Sequence, residues 1–353
     1  MSDELIGIEM AEPAKQAILK TTIYYLFQGS EGRIMVQFLI KRFIGLIFVV
    51  IGVTFITFIM GYFAPGDPIR AMMGSHYDPV VYVQLKHAYG LDQPFFVQYW
   101  HFLTGLFRLD FGLSYQIQNR PVWDILKDGV PISAELGFWA LMLQVLVGIP
   151  IGIISALKAN SWIDTTNMGI VLVMYSLPVF VFAVFFQVLV VAIDNGTGAQ
   201  WPVANWGNAW HYSWSDIQFK IGPIVILALS LVAYLARITR TSMLEVLRQD
   251  YVRTARAKGM RERIVIYRHA LRNALIPVVT ILGLSLGLIV TGTFFLEEFF
   301  NIPGIGETTL QATQYRDYPV IQATAVLLAV AVVIGNLISD ILYTLVDPRI
   351  KAS

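Results

Sequence analysis

Gly283, Leu284, Ser285, Leu286 and Gly287 spell G-x-S-x-G, the spacing that sets a serine nucleophile on a strained strand-to-helix turn in hydrolases. Here the motif lies inside an apolar run, Pro277 to Phe295, that holds no histidine, aspartate or glutamate to act as a base. The structural reading is therefore preferred: small residues four apart let another helix come close, as Gly148 and Gly152 would also do. Activity surviving Ser285→Ala would remove the hydrolase reading. His76, His87, His101, His211 and His269 have no zinc-site spacing, and cysteine is absent, which excludes disulfides and thiolate chemistry. No metal is expected. A phosphate-cradling G-x-x-x-x-G-K-[ST] loop is missing, so this chain is not expected to bind or hydrolyse ATP by that route. The Asn195-Gly196-Thr197 sequon is read as chance.

The elements around these residues belong to a membrane protein. The chain has 353 residues, of which 56% are hydrophobic and 14% charged, with a mean hydropathy of +0.63. Globular proteins carry about a quarter charged residues. A helix crossing the hydrocarbon needs about 20 mostly apolar residues. Six windows qualify: Phe38 to Tyr62, Ala134 to Leu157, Met168 to Ile193, Ile221 to Ile238, Leu275 to Phe295 and Val320 to Val346. The first is read as a retained anchor rather than a secretory signal. Pro150, Pro178 and Pro223 mark expected kinks. Glu135, Lys220, Arg237 and Asp340 are read as lying near span ends. That scarcity of ionisable groups at mid-depth counts against an ion-coupled carrier.

Loop charge gives the orientation. Arg237 to Arg272 holds ten basic residues against Glu245, Asp250 and Glu262, a local net charge of +7, whereas Asp194 to Asp216 has no Lys or Arg. The positive-inside rule then places the basic segment and both termini in the cytoplasm. The expected division is 1–33, a cytoplasmic extension in which Ile18 to Phe27 could lie on the membrane surface; 34–63, the first span; 64–132, an outward helical cap with helices near Pro79 to Tyr89 and Pro94 to Leu109; and 133–350, five further spans with a cytoplasmic loop at 242–274. Trp201, Trp206, Trp210 and Trp214 are read as an interfacial aromatic belt.

The cytoplasmic loop is the most informative stretch. Leu244, Leu247, Tyr251 and Ala255 have helical spacing and Gly259 makes a C-terminal stop. A second run follows, with Ile264, Tyr267 or Arg268, Leu271 and Leu275 on one face. Positive-inside anchoring does not require the small residues Ala255, Ala257 and Gly259 at the tip. A small turn between amphipathic helices suits a partner's groove.

This segment, DYVRTARAKG (Asp250 to Gly259) and RHALRNALIPVV (Arg268 to Val279), resembles the cytoplasmic loop of binding-protein-dependent ABC importer permeases of the dipeptide/oligopeptide family. FAPGDP (Phe63 to Pro68), YGLDQP (Tyr89 to Pro94), DFGLSY (Asp110 to Tyr115), IPGIG (Ile302 to Gly306), RDYPV (Arg316 to Val320) and DPRI (Asp347 to Ile350) extend the likeness from about Val36 onward. The resemblance implies an all-α polytopic protein with the type I ABC importer permease fold. It further implies that the chain is no enzyme itself and forms half of a pathway with a second homologous permease. Two cytoplasmic ATPase subunits would bind the ATP and magnesium, and an extracytoplasmic binding protein would deliver a di- or oligopeptide. Nickel chelates, glutathione or another small solute are the alternative cargoes. By the same resemblance, the coupling residues would be Asp250, Tyr251, Arg253, Thr254, Ala255, Arg256, Ala257, Lys258, Gly259, Met260, Arg261 and Arg263. Thr254 and Ala255 stand where the wider superfamily often has paired alanines, and Arg253 where it often has glutamate, a departure the peptide branch shares.

Overall fold

A computed structural model describes residues 30–74, 76–117, 120–198 and 200–346. The expected surface helix at Ile18 to Phe27 and the DPRI motif lie outside these residues. By its internal contacts the chain divides into two units. The first comprises 1–48 and 348–353, and its described part is helical, the opening half of α1 (Ser30–Tyr62). The second, 49–347, contains everything described below.

In that second unit α1 ends at Tyr62, and three short helices follow: α2 (Pro68–Met73), α3 (Pro79–Ala88) and α4 (Phe95–Leu106). Asp67 and Asp78 start the first two in the same way. Each stands before a proline at the first helical position, and its Oδ1 accepts the next free amides, Ile69 (3.0 Å) and Arg70 (3.3 Å) in α2, Val80 (2.7 Å) and Val81 (3.4 Å) in α3. The remaining helices are α5 (Val122–Leu143), α6 (Ile149–Leu157), α7 (Trp162–Ser176), α8 (Val179–Thr197), α9 (Trp214–Leu247), α10 (Asp250–Ala257), α11 (Glu262–Ile264), α12 (Arg272–Phe299), α13 (Ile305–Tyr315) and α14 (Tyr318–Val346). Among the described residues there is no strand beyond one isolated bridge, Leu113 to Pro121.

Among the described residues, six helical segments are long and apolar enough to cross a membrane. Three depart clearly from the expected limits, the fourth because it runs from Trp214 to Leu247 rather than Ile221 to Ile238. The second starts at Val122, twelve residues before Ala134, because Pro131 continues inside α5; the expected division at 132–133 therefore falls within a helix. The window Met168 to Ile193 is two helices rather than one. Pro178 cannot continue α7, and Leu177 before it is extended (φ −94°, ψ 135°). Pro150 and Pro223 break nothing. The turn Gln144–Gly148, just before Pro150, is widened to a π-helix, which accommodates the ring within a continuous rod.

Helix α9 packs against α5, α6, α7, α8 and α12, and α12 lies along α14. These contacts close because small residues sit at the crossings. A Cβ at Gly152 would stand 2.5 Å from Thr239 Cβ and 2.7 Å from the Ala236 carbonyl, so only glycine admits that approach. Gly283 of the G-x-S-x-G run likewise lies directly against Ser339 of α14. Ser285 accepts an N–H from Gln144 Nε2 (2.9 Å), which ties α12 to the widened turn.

One end of the unit, which includes 63–74, 76–117, 120–121, 200–213 and 300–317, is held by buried polar groups. Lys220 Nζ reaches Glu135 Oε1 (2.8 Å) and Oε2 (3.1 Å) and donates to the carbonyls of Asn208 (2.7 Å) and His211 (2.9 Å). Glu135 Oε2 also accepts Trp206 Nε1–H (2.9 Å) and the Trp210 amide (2.8 Å). Glu135 is fully buried inside α5, and one expectation is corrected. Trp206 is no interfacial anchor: it is also fully buried, its ring in the core with Leu136, Ala140, Ile226 and Phe300. Trp210 and Trp214 do stay exposed.

Candidate partner-docking site

The opposite end carries the basic hairpin. Helix α9 stops at Leu247, Arg248 and Gln249 break the rod, and α10 starts afresh at Asp250. That break rotates the face expected from helical spacing. Tyr251 is exposed, while Val252 and Ala255 are buried against Val265, with Val246, Leu247 and Met260 around them. The second helix departs similarly. Val265 to Leu271 form a π-helical turn, so Ile264 and Tyr267 face outward and Val265, Ala270 and Ala274 are buried. An extra residue per turn shifts the register, and a strict 3.6-residue count misses it.

The hairpin tip is a Schellman turn. The Gly259 amide donates to the Arg256 carbonyl (2.9 Å) and the Met260 amide to the Ala255 carbonyl (3.4 Å), while Met260 packs back on the small core. Gly259 has φ +75°, and nothing lies within 4 Å of where its Cβ would stand. Glycine is needed there for backbone conformation, not for space.

Of the twelve predicted coupling residues, the fold turns Ala255 inward and half-buries Met260, so these two hold the hairpin together. The other ten, Asp250, Tyr251, Arg253, Thr254, Arg256, Ala257, Lys258, Gly259, Arg261 and Arg263, are exposed on one projecting element. Arg256 pairs with Glu262 through two contacts (2.7 and 3.2 Å), which raises the guanidinium pKa through that hydrogen bond. Arg253 approaches Asp250 at 3.5 Å with both groups largely in solvent. Lys258, Arg261 and Arg263 make no ion pair among the described residues. The tip thus offers three uncommitted cations on a rigid base, suited to an acidic or carbonyl-lined groove. Two contacts were not anticipated from the sequence: Glu262 as the partner of Arg256, and Asn273 Nδ2 donating to the Tyr251 hydroxyl (2.8 Å). The acidic residue six positions from Arg256 was the only signal for the first.

At the other end the motifs spread along the sequence come together. Asp317 of RDYPV accepts the Ser114 hydroxyl (2.5 Å) and the Tyr115 amide (3.0 Å) of DFGLSY, and the Arg316 guanidinium lies against Gly66 of FAPGDP. In IPGIG, the Gly306 amide donates to the buried Glu297 (2.7 Å) and the Ile305 amide to Ser133 Oγ (2.9 Å), which locks the start of α13 onto α5. Asp67 accepts the Tyr82 hydroxyl (2.6 Å). Burial pushes its carboxyl up, but the Tyr82 hydrogen bond and the Arg70 and Ile69 amides outweigh that and hold it below the usual carboxylate range. A cavity of about 400 Å³ opens beside it, lined among others by Tyr62, Lys86, Tyr115 and Tyr318. Such a lining, with both charge signs and several hydroxyls, can hold a small polar molecule.

Comparison with known proteins gives matches along nearly the whole chain. The family model described as binding-protein-dependent transport system inner membrane component matches residues 148–352, and the model of its N-terminal part matches 35–137. The dipeptide transport system permease protein DppB of Escherichia coli (strain K12) is 36% identical over 338 residues, 90% of this chain and 99% of that protein. DppB of Bacillus subtilis (strain 168) is 37% identical over 318 residues, 90% of this chain and 98% of its own length. The glutathione transport system permease protein GsiC of Escherichia coli (strain K12) is 36% identical over 317 residues, with 90% and 99% covered.

Proposed function

The chain belongs to the family of binding-protein-dependent transport system inner membrane components, and from that membership we propose that it is the permease subunit of an ATP-driven ABC importer. It forms half of a translocation pathway for di- or oligopeptides, which an extracytoplasmic binding protein hands over. A second, homologous permease completes the pathway, and two cytoplasmic ATPase subunits bind the ATP and magnesium. Both termini and the basic hairpin face the cytoplasm, in keeping with the loop charges. The GsiC likeness supports glutathione, itself a small peptide, as the alternative cargo.

The observation that carries this reading is the exposed cationic tip on a braced hairpin. Its base is packed into α9 through Val246 and Leu247, and onward through Met243, Ala270, Ala274 and Ala156 into α12 and α6. A displacement of the tip by a closing ATPase dimer therefore moves helices rather than a loop. Alternating access then follows as a rigid-body movement between two packed arrangements. The permease supplies shape and the ATPases supply energy.

The test uses the absence of cysteine in this chain. An Arg261→Cys variant carries a single thiol at the tip. Purification in mild detergent should bring down two ATPase chains and one homologous membrane subunit, and a short thiol-to-amine crosslinker should join the tip to an ATPase. A tip reachable only by reagents added outside the cell, or crosslinked to no ATPase during turnover, would overturn the proposal.

A further inference from the structure

Helix α4 has the sequence FFVQYWHFLTGL, with no Asp, Glu, Lys or Arg in twelve residues. It was expected in an outward cap, yet its packing partner is the membrane span itself. Phe95 meets Phe55 and Phe58 (ring centroids 6.2 and 5.3 Å), Phe102 stacks on Phe58 (5.9 Å), and the Tyr99 hydroxyl bonds Thr54 Oγ1 (3.1 Å). Thr54 lies eight residues before the end of α1 at Tyr62. At 1.5 Å per residue that is about 12 Å along the rod, inside one leaflet of a hydrocarbon core about 30 Å thick. The first charged residue beyond the span is Asp67.

The far side of α4 is aromatic and uncovered. Phe96, Trp100 and, just past the end, Phe107 are 75%, 63% and 90% exposed. Of its polar side chains, Gln98 Nε2 donates to the Gln93 carbonyl (2.7 Å), Thr104 Oγ1 donates to the Trp100 carbonyl (2.9 Å) and Tyr99 is held by α1, whereas His101 is exposed. Satisfying such groups internally is what hydrocarbon demands and water does not. The exposed side of α1 at the same level, Ile56, Met60 and Phe63, continues the apolar surface.

We propose that α4 dips into the outer leaflet beside α1 and that Phe96, Trp100 and Phe107 face lipid acyl chains, which makes the segment a shallow membrane anchor rather than part of an aqueous cap. Its depth is set by the α1 contacts. Its occupant is lipid because the face is continuous with that of a membrane span and carries no charge for a protein partner to complement.

Nitroxide labels at Phe96→Cys and Trp100→Cys, in the full chain assembled with its partners in phosphatidylethanolamine/phosphatidylglycerol vesicles, read the environment directly. Ile56→Cys supplies the lipid-facing reference and Gln84→Cys on α3 the aqueous one. The expected result is collision with oxygen and protection from a water-soluble nickel reagent, as at Ile56. Free collision with the nickel reagent would overturn the proposal, as would a label immobile and shielded from both reagents, which signals a protein partner. Should a labelled variant fail to assemble, tryptophan quenching by bromolipids decides. Quenching by shallow bromines should fall on Trp100→Phe, and unchanged quenching would count against the proposal.

Discussion

Gly259 occupies a backbone region that costs a residue with a Cβ about 1–2 kcal/mol, and no neighbour competes for its space. Conformation alone therefore orders the substitutions. Gly259→Val should reshape the tip and uncouple ATP hydrolysis from uptake without loss of membrane insertion, and Gly259→Asn should be milder because asparagine tolerates φ > 0. Substrate-stimulated ATPase and uptake measured side by side in the reconstituted complex check this. Normal coupling in the valine variant would remove the docking role. The Glu135–Lys220 pair answers to a different balance, since each charge is buried and hydrogen-bonded to the other and to the 206–211 loop. Removing one partner of such a pair costs about 3–5 kcal/mol, whereas replacing both is often near neutral. Glu135→Gln and Lys220→Met should each lower the thermal transition in detergent, and the double variant should recover most of the loss. Asp67 adds a pH effect of definite sign. Its carboxyl is held below 3.8, so its contribution is complete above that value and fades as pH falls through the depressed pKa. Amide exchange at Ile69 and Arg70 should quicken in that acid window, and Asp67→Asn, which still caps, should abolish the pH dependence.

Among the elements, the helix crossings carry the constraint. Gly152 is enclosed by Thr239 and Ala236, while Gly169 on α7 has open space at its Cβ. Gly152→Val should destabilise by about 1–3 kcal/mol or more through overpacking. Gly169→Ala should be close to neutral, and thermal unfolding of the two in the same detergent compares them. The helices themselves were largely readable, because a bilayer imposes length and apolarity on any span. What escaped was local. Pro178 divides a hydrophobic window without lowering its hydropathy, and the turns Gln144–Gly148 and Val265–Leu271 shift register without any compositional mark. Of the faces expected for the hairpin, Leu244, Leu247, Ala255 and Leu271 do pack inward, whereas the break at Arg248 and Gln249 leaves Tyr251 exposed and the π-helical turn leaves Ile264 and Tyr267 exposed; its turn at Gly259 was located.

For the whole molecule the proposed mechanism assigns the energy to partner subunits. Uptake by the reconstituted importer should stop when ATP is depleted and continue when ion gradients are collapsed. The opposite pattern, measured with labelled dipeptide, would favour an ion-driven carrier. The motifs announced a family, but why they are spaced as they are became physical only when Ser114, Asp317, Gly66 and Arg316 met at one end of the bundle.

Periodicity, apolar length and loop charge determined the number of spans, the basic hairpin and its glycine turn, because each is a property of consecutive residues in a bilayer. Tertiary structure alone decided that Trp206 is core, that Glu135 and Lys220 neutralise each other, that Ala255 faces inward and that α4 lies against α1. Those outcomes depend on pairs from separate parts of the chain, 85 positions apart for Glu135 and Lys220, and no local pattern encodes which buried groups will find each other.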